Sequence, residues 1–80
     1  NMNAFYNYAL KLQQEKKNAE SIKIINRGLK IFPNNERLLY AKLIGEINLK
    51  QTVNAKKTCN LLIEIAPTNS NYRQILESLE

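Results

Sequence analysis

Eighty residues carrying +5 net charge make one domain at most, near the lower edge of what a single core stabilises without staples. One cysteine, Cys59, excludes an internal disulfide, and no apolar run approaches the roughly 20 residues that span a bilayer. Polar residues scattered through Asn1–Leu12 do not fit a secretory signal, and none is expected in this stretch.

Taken in chain order, the apolar residues keep helical spacing. From Asn3 to about Gln14, Phe5, Tyr8, Ala9 and Leu12 fall at i, i+3, i+4 and i+7, one face of a helix. Polar residues Glu15 to Asn18 interrupt it, with Asn18 the expected cap of a second helix, Ala19 to Phe32, that turns Ile22, Ile25, Leu29 and Phe32 inward. Pro33 ends this helix because it has no amide proton to continue the ladder. Asn34 and Asn35 cap a third helix, Glu36 to Lys50, with Leu39, Tyr40, Leu43, Ile44 and Ile47 inward. After a break at Gln51, Thr52 caps a fourth, Val53 to Ala66, burying Ala55, Cys59, Leu62 and Ile63 before Pro67. Thr68 and Asn69 introduce the last, Ser70 to Glu80, with Tyr72, Ile75, Leu76 and Leu79 inward. Period-two alternation is almost absent, so the expectation is an all-α fold of five helices. Breaks of two to four residues require consecutive helices to pack antiparallel.

Pro33 and Pro67 mark out an internal period, and the residues before them correspond across it: Ser21, Ile25, Gly28-Leu29 match Ala55, Cys59, Leu62-Ile63. The first helices carry Phe5, Tyr8-Ala9, Leu12, then Tyr40, Leu43-Ile44, Ile47, then Tyr72, Ile75-Leu76, Leu79, three copies at one internal spacing. In these residues and in the length of its period the chain resembles the tetratricopeptide repeat. The resemblance implies an antiparallel helix-hairpin solenoid: repeat one at about 3–35, repeat two at about 36–69 and a closing helix at 70–80, all in one domain. Ile44, Leu76 and Leu62 stand where the family has small residues, and the turn inside the second repeat reads as one residue short. Related helical-hairpin repeats therefore stay open.

In such a fold the first helices line a concave face. The resemblance assigns to it Tyr6, Leu10, Gln13, Leu38, Ala41, Lys42, Gly45, Asn48 and Arg73, a surface for an extended peptide or a helix. Some members of the family hold acidic chaperone tails with cationic side chains on successive first helices. The matching positions here are Tyr6, Leu10, Lys42, Ser70 and Gln74, with only Lys42 cationic, so no such clamp is expected.

On the opposite face Lys23, Arg27 and Lys30 form a basic stripe at i, i+4 and i+7, the alternative binding surface, for nucleic acid or an anionic membrane. Lysine outnumbers arginine nine to three, and asparagine and isoleucine are abundant, the imprint of an A/T-rich coding sequence rather than of phosphate recognition, which favours the planar arginine fork. With no histidine, no aspartate and no acid pair or metal-ligand spacing, no catalytic, metal or cofactor site is expected. Cys59 reads as a small buried residue.

The leading expectation is an intracellular, cytoplasmic protein-interaction module, an adaptor or scaffold, whose partner the sequence does not name. An opening on Asn1 reads as a piece of a longer chain, and uncovered solenoid ends predict weak end-to-end self-association. A purely architectural spacer is the third reading.

Overall fold

Three of the five helices begin where an asparagine caps them. A computed structural model describes all 80 residues: α1 (Met2–Gln14), α2 (Asn18–Ile31), α3 (Glu36–Asn48), α4 (Thr52–Ile65) and α5 (Ser70–Ser78), with no strand. Asn1, Asn35 and Asn69 stand one full period apart, each just before a first helix. Their side-chain oxygens accept from the amides of Ala4 at 3.0 Å, Leu38 at 3.0 Å and Asn71 at 3.1 Å, satisfying donors the helix leaves orphaned.

The turns inside the hairpins follow a different rule. At the end of α1 the chain reverses through Lys16 at φ 62, whose amide donates to the Gln13 carbonyl at 2.9 Å while that of Lys17 donates to Leu12 at 2.8 Å. Lys50 at φ 60 repeats this with Ile47 at 3.0 Å and Gln51 to Glu46 at 2.9 Å. These are Schellman closures built on lysine where glycine is usual. They launch the next helix at once, so Asn18 and Thr52, expected as caps, are instead the first helical residues, and neither α2 nor α4 has a side-chain cap. The Asn18 oxygen is taken by the Asn48 amide at 3.2 Å.

Both hairpin turns span three residues, 15–17 and 49–51, so the second is not shortened. Every helix start advances by the same period: Met2 to Glu36 to Ser70, and Asn18 to Thr52. This moves the α3 pattern one residue earlier than expected. Leu39, Leu43 and Glu46 are the buried counterparts of Phe5, Ala9 and Leu12, while Tyr40 is exposed and Ile44 and Ile47 only half-buried. Tyr8, expected inward, is exposed as well.

Each helix packs on the next, and α1 also meets α3. The core has two parts, and α3 serves both. Its Leu38 and Ala41 join Ala9 and Ile25; its Leu39 and Leu43 join Ala55, Cys59, Leu62 and Tyr72. Gly28 lets α2 approach α1, since a Cβ there would stand 2.9 Å from the Phe5 ring. Gly45, expected on an exposed face, is buried, and a Cβ would meet Ile22 at 3.1 Å.

Apolar residues of α5 turn back onto this core, with Ile75, Leu76 and Leu79 packed against it. Its outer side holds Arg73, Glu77 and Glu80, the counterparts of Leu39, Leu43 and Glu46. At the other end, Ala4, Asn7 and Lys11 occupy the α1 positions that on α3 are Leu38, Ala41 and Gly45, and all three are exposed. Leu76 and Leu79, on whose exposure the expected end-to-end association rests, are half-buried against the core.

Candidate functional site

Arg37 and Tyr40 point outward from α3, into two confluent depressions. One, of about 480 Å³, is lined by Tyr40 and Tyr72 with Asn69, Asn71, Gln74, Ile75 and Ser78. The other, of about 300 Å³, is lined by Tyr6, Glu36, Arg37, Tyr40 and Tyr72. Tyr40 and Tyr72 belong to both, giving a single groove across α1, α3 and α5.

Its floor is rigid on one side and free on the other. Tyr72 is 5% exposed and donates its hydroxyl to Glu36 Oε2 at 2.5 Å, tying α5 to the start of α3. Burial, with the Glu36 hydrogen bond second, pushes the Tyr72 phenol well above its ordinary value. The Tyr40 ring lies 6.1 Å from that of Tyr72, tilted by 44°, and the Arg37 guanidinium stands 5.5 Å from the centroid of the Tyr6 ring. The Tyr6 and Tyr40 hydroxyls bond to no other group of the chain.

Of the residues expected on a concave face, Tyr6 lines the groove and the others lie elsewhere. Leu38 and Ala41 are buried between α3 and the first hairpin, and Gly45 is closed against α2. Gln13 spends its amide on the Ala41 carbonyl at 2.8 Å, and Asn48 bonds Asn18. Leu10 is half-buried outside the depressions, and Arg73 is exposed on the outer side of α5. Lys42 lies across the molecule, in a separate polar cleft with Glu46, Asn54, Lys57 and Thr58. The error follows from α3 being covered on two sides, so its Leu38, Ala41, Gly45 face meets the first hairpin instead of a partner. A sequence signal for these depressions is present: Tyr6 and Tyr40 are one period apart, as are Arg37 and Asn71.

Charge divides unequally among the helices. Lys11, Arg37, Lys42 and Arg73 balance Glu36, Glu46, Glu77 and Glu80, so α1, α3, α5 and the C-terminal residue sum to zero. The whole +5 resides on α2, α4 and the hairpin turns. There Lys23, Arg27 and Lys30 are all exposed, and the one ion pair of the chain, Lys17–Glu15 at 3.7 Å, involves none of them.

Cys59 is fully buried and donates its thiol to the Tyr72 carbonyl at 3.0 Å; burial raises its pKa, opposed in part by the Leu76 backbone. It is a packing residue, with none of the exposure and positive surroundings that activate a thiolate. No group of three His, Cys or acidic side chains converges to hold a metal, and no helix is long and apolar enough to cross a membrane. Comparisons of the chain with protein-family models, curated proteins and solved structures found no match.

Proposed function

We propose that this chain is a two-hairpin helical-repeat unit of tetratricopeptide type, closed by α5, that acts as a protein-interaction module within a longer protein or assembly. The observation that carries the reading is the groove in which Tyr6, Arg37, Tyr40 and Tyr72 come together from three helices that recur at one period. Tyrosine rings lining an open groove beside amide and guanidinium donors supply large contact area at little conformational cost, the composition of binding surfaces generally. An enzymatic role has no support from any convergent acid, base or nucleophile.

The charge division favours one alternative, a polyanion held on the α2 and α4 side by Lys23, Arg27 and Lys30. Panning a displayed random-peptide library against the chain distinguishes them. Peptides that lose binding to Tyr40→Ala but keep it for the Lys23/Arg27/Lys30→Glu variant support the groove. Absence of any enriched peptide, together with single-stranded nucleic acid captured with a steep salt dependence and lost only in the glutamate variant, would replace it with the basic face.

A further inference from the structure

We propose that the polar cleft between α2, α3 and α4 binds phosphate in a form that still carries a proton. The cleft shares no residue with the tyrosine groove, so the inference stands apart from the peptide-binding reading.

Glu46 supplies the first observation. It is 3% exposed, and its Oε1 accepts from the Thr58 hydroxyl at 2.7 Å, while Oε2 meets no donor of the chain. No fully enclosed side-chain oxygen lacks a partner, so this free oxygen is the part of Glu46 that opens into the cleft it lines. A carboxylate oxygen held there has the capacity to accept and nothing to accept from.

Packing does not require these groups. One period earlier the positions of Glu46 and Thr58 hold Leu12 and Ile24, and the first hairpin closes there without a polar pair. Lys42 and Asn54 likewise stand where that hairpin has Tyr8 and Glu20. A buried polar pair is weak as a source of stability beside apolar residues of similar volume, so its presence here calls for another role.

Charge sets the class of occupant. Lys42 and Lys57 line the same cleft, and neither is paired with Glu46 or any other acid, the one ion pair of the chain being Lys17–Glu15. Two ammonium groups against one carboxylate favour an anion. The Asn26 amide bonds to nothing else in the chain, and Gln51, whose oxygen takes the Asn54 amide at 3.4 Å, keeps its own amide free to donate. An anion that only accepts would satisfy these donors and be repelled by Glu46 Oε2. Hydrogen phosphate accepts through its bare oxygens and donates from its protonated one, so it meets both requirements. The cleft measures about 250 Å³, below the roughly 300–1,000 Å³ of pockets for larger organic ligands, so it admits a phosphate group with little attached. Inorganic phosphate and a phosphate monoester both present this chemistry, the monoester less fully above about pH 6, where its second proton is lost.

Amide NMR of the isotope-labelled chain tests this in titrations at neutral pH and constant ionic strength with inorganic phosphate, glycerol phosphate, sulfate and dimethyl phosphate. The expected result is saturable shifts at the amides of Glu46, Asn54 and Thr58 with inorganic phosphate. Sulfate and dimethyl phosphate, with no proton to give Oε2, should bind about tenfold or more weakly. Glu46→Gln keeps an oxygen for Thr58 but turns the second group into a donor, so the preference for phosphate over sulfate should vanish. Glu46→Leu with Thr58→Ile, the residues of the first hairpin, should abolish binding while circular dichroism shows the fold retained. Lys42→Met with Lys57→Met should weaken every anion. Glycerol phosphate bound more tightly than inorganic phosphate would support a monoester as the source, and the reverse order free phosphate. Equal binding of all four anions, or shifts spread over the lysines of α2 and the hairpin turns, would reduce the effect to general charge and overturn the proposal. A preference for phosphate that survives Glu46→Gln, or the absence of saturable shifts, would overturn it as well.

Discussion

The two hairpins share one backbone plan but place their buried polar groups at different positions, Ser21 in the first standing against Ala55 in the second and the reverse holding elsewhere. Helix starts, three-residue turns and left-handed lysines all recur from the first hairpin to the second at one period. Yet at Leu12, Ile25 and Leu38 the first hairpin and its junction with α3 are aliphatic, and the corresponding residues of the second are Glu46, Cys59 and Tyr72, all buried and all hydrogen-bonded. Size is traded as well: Gly28 with Phe5 in the first hairpin becomes Leu62 with Leu39 in the second. The repeat is therefore a property of backbone geometry and local volume, and many residue sets satisfy it.

Changing volume at the equivalent pair Gly28 and Leu62 should break the comparison most severely. Leu62→Ala empties a fully buried site and should cost about 2–5 kcal/mol. Gly28→Ala changes volume in the other direction. Its new Cβ would stand 2.9 Å from Phe5 Cγ, so overpacking should cost about 1–3 kcal/mol, reduced by up to about 1 kcal/mol through better helix propensity. Thermal denaturation reads both, at about 4–8 °C per kcal/mol for a domain of this size. A Gly28→Ala protein as stable as wild type would mean that the two hairpins are less tightly matched than the contact with Phe5 requires.

The buried polar pair sharpens the contrast. Thr58 donates to Glu46 Oε1 at 2.7 Å, in the place of Leu12 and Ile24. Thr58→Val leaves the carboxyl without its partner and should cost about 1–3 kcal/mol. Glu46→Leu with Thr58→Ile copies the first hairpin and should be neutral or stabilising by about 1–4 kcal/mol, because no buried polar group is then left unpaired. A double variant less stable than Thr58→Val would show that the second hairpin is shaped around its polar pair.

Element positions were legible because the prolines and apolar periodicity mark them independently of packing. The facing of α1 and α5 was partly legible too, as each has one buried side; Ala9, Leu12 and Tyr72 are inward as their spacing requires. The middle helix was not. Leu38, Leu39, Leu43, Ile44 and Ile47 cover most of the circumference of α3, so its pattern has no single phase, and the spacing of Tyr40 from Leu43, Ile44 and Ile47 fits an inward position as well as the observed outward one. The groove inherited that error. Tyr72 with Glu36 was beyond reach, since a bond between residues so far apart in sequence depends on how α5 docks against α3.

Alkaline titration separates the hairpins more gently. Tyr72 has its phenol raised above 10.0 and Cys59 its thiol above 9.0, both held neutral in the fold. In the unfolded chain they ionise at those ordinary values, so their contribution is complete below about pH 9 and is lost as pH rises through the higher folded values. The first hairpin buries no counterpart. Amide exchange should therefore speed up in α4 and α5 before α1 and α2 above that pH. Tyr72→Phe should cost about 1–2 kcal/mol at neutral pH and flatten the alkaline loss. Equal acceleration in both hairpins would trace the effect to general charge instead.

The smallest effect tests what the hairpins have in common. Lys16 and Lys50 adopt a conformation in which a Cβ is crowded by the backbone, at roughly 1 kcal/mol each relative to glycine. Because both are exposed and their side chains bond to nothing, Lys16→Gly and Lys50→Gly should each stabilise by about 0.5–1 kcal/mol, less whatever lysine contributes at a helix C-terminus. Glycine also raises the entropy of the unfolded chain, which subtracts from both gains alike. Equal shifts in the two variants, additive in the double, are the expected result, since the turns are geometrically the same and well separated in sequence. A gain at one turn alone would mean that the hairpins, matched in φ and hydrogen bonding, differ in strain through what packs beneath them: Leu12 under one, Glu46 with Thr58 under the other.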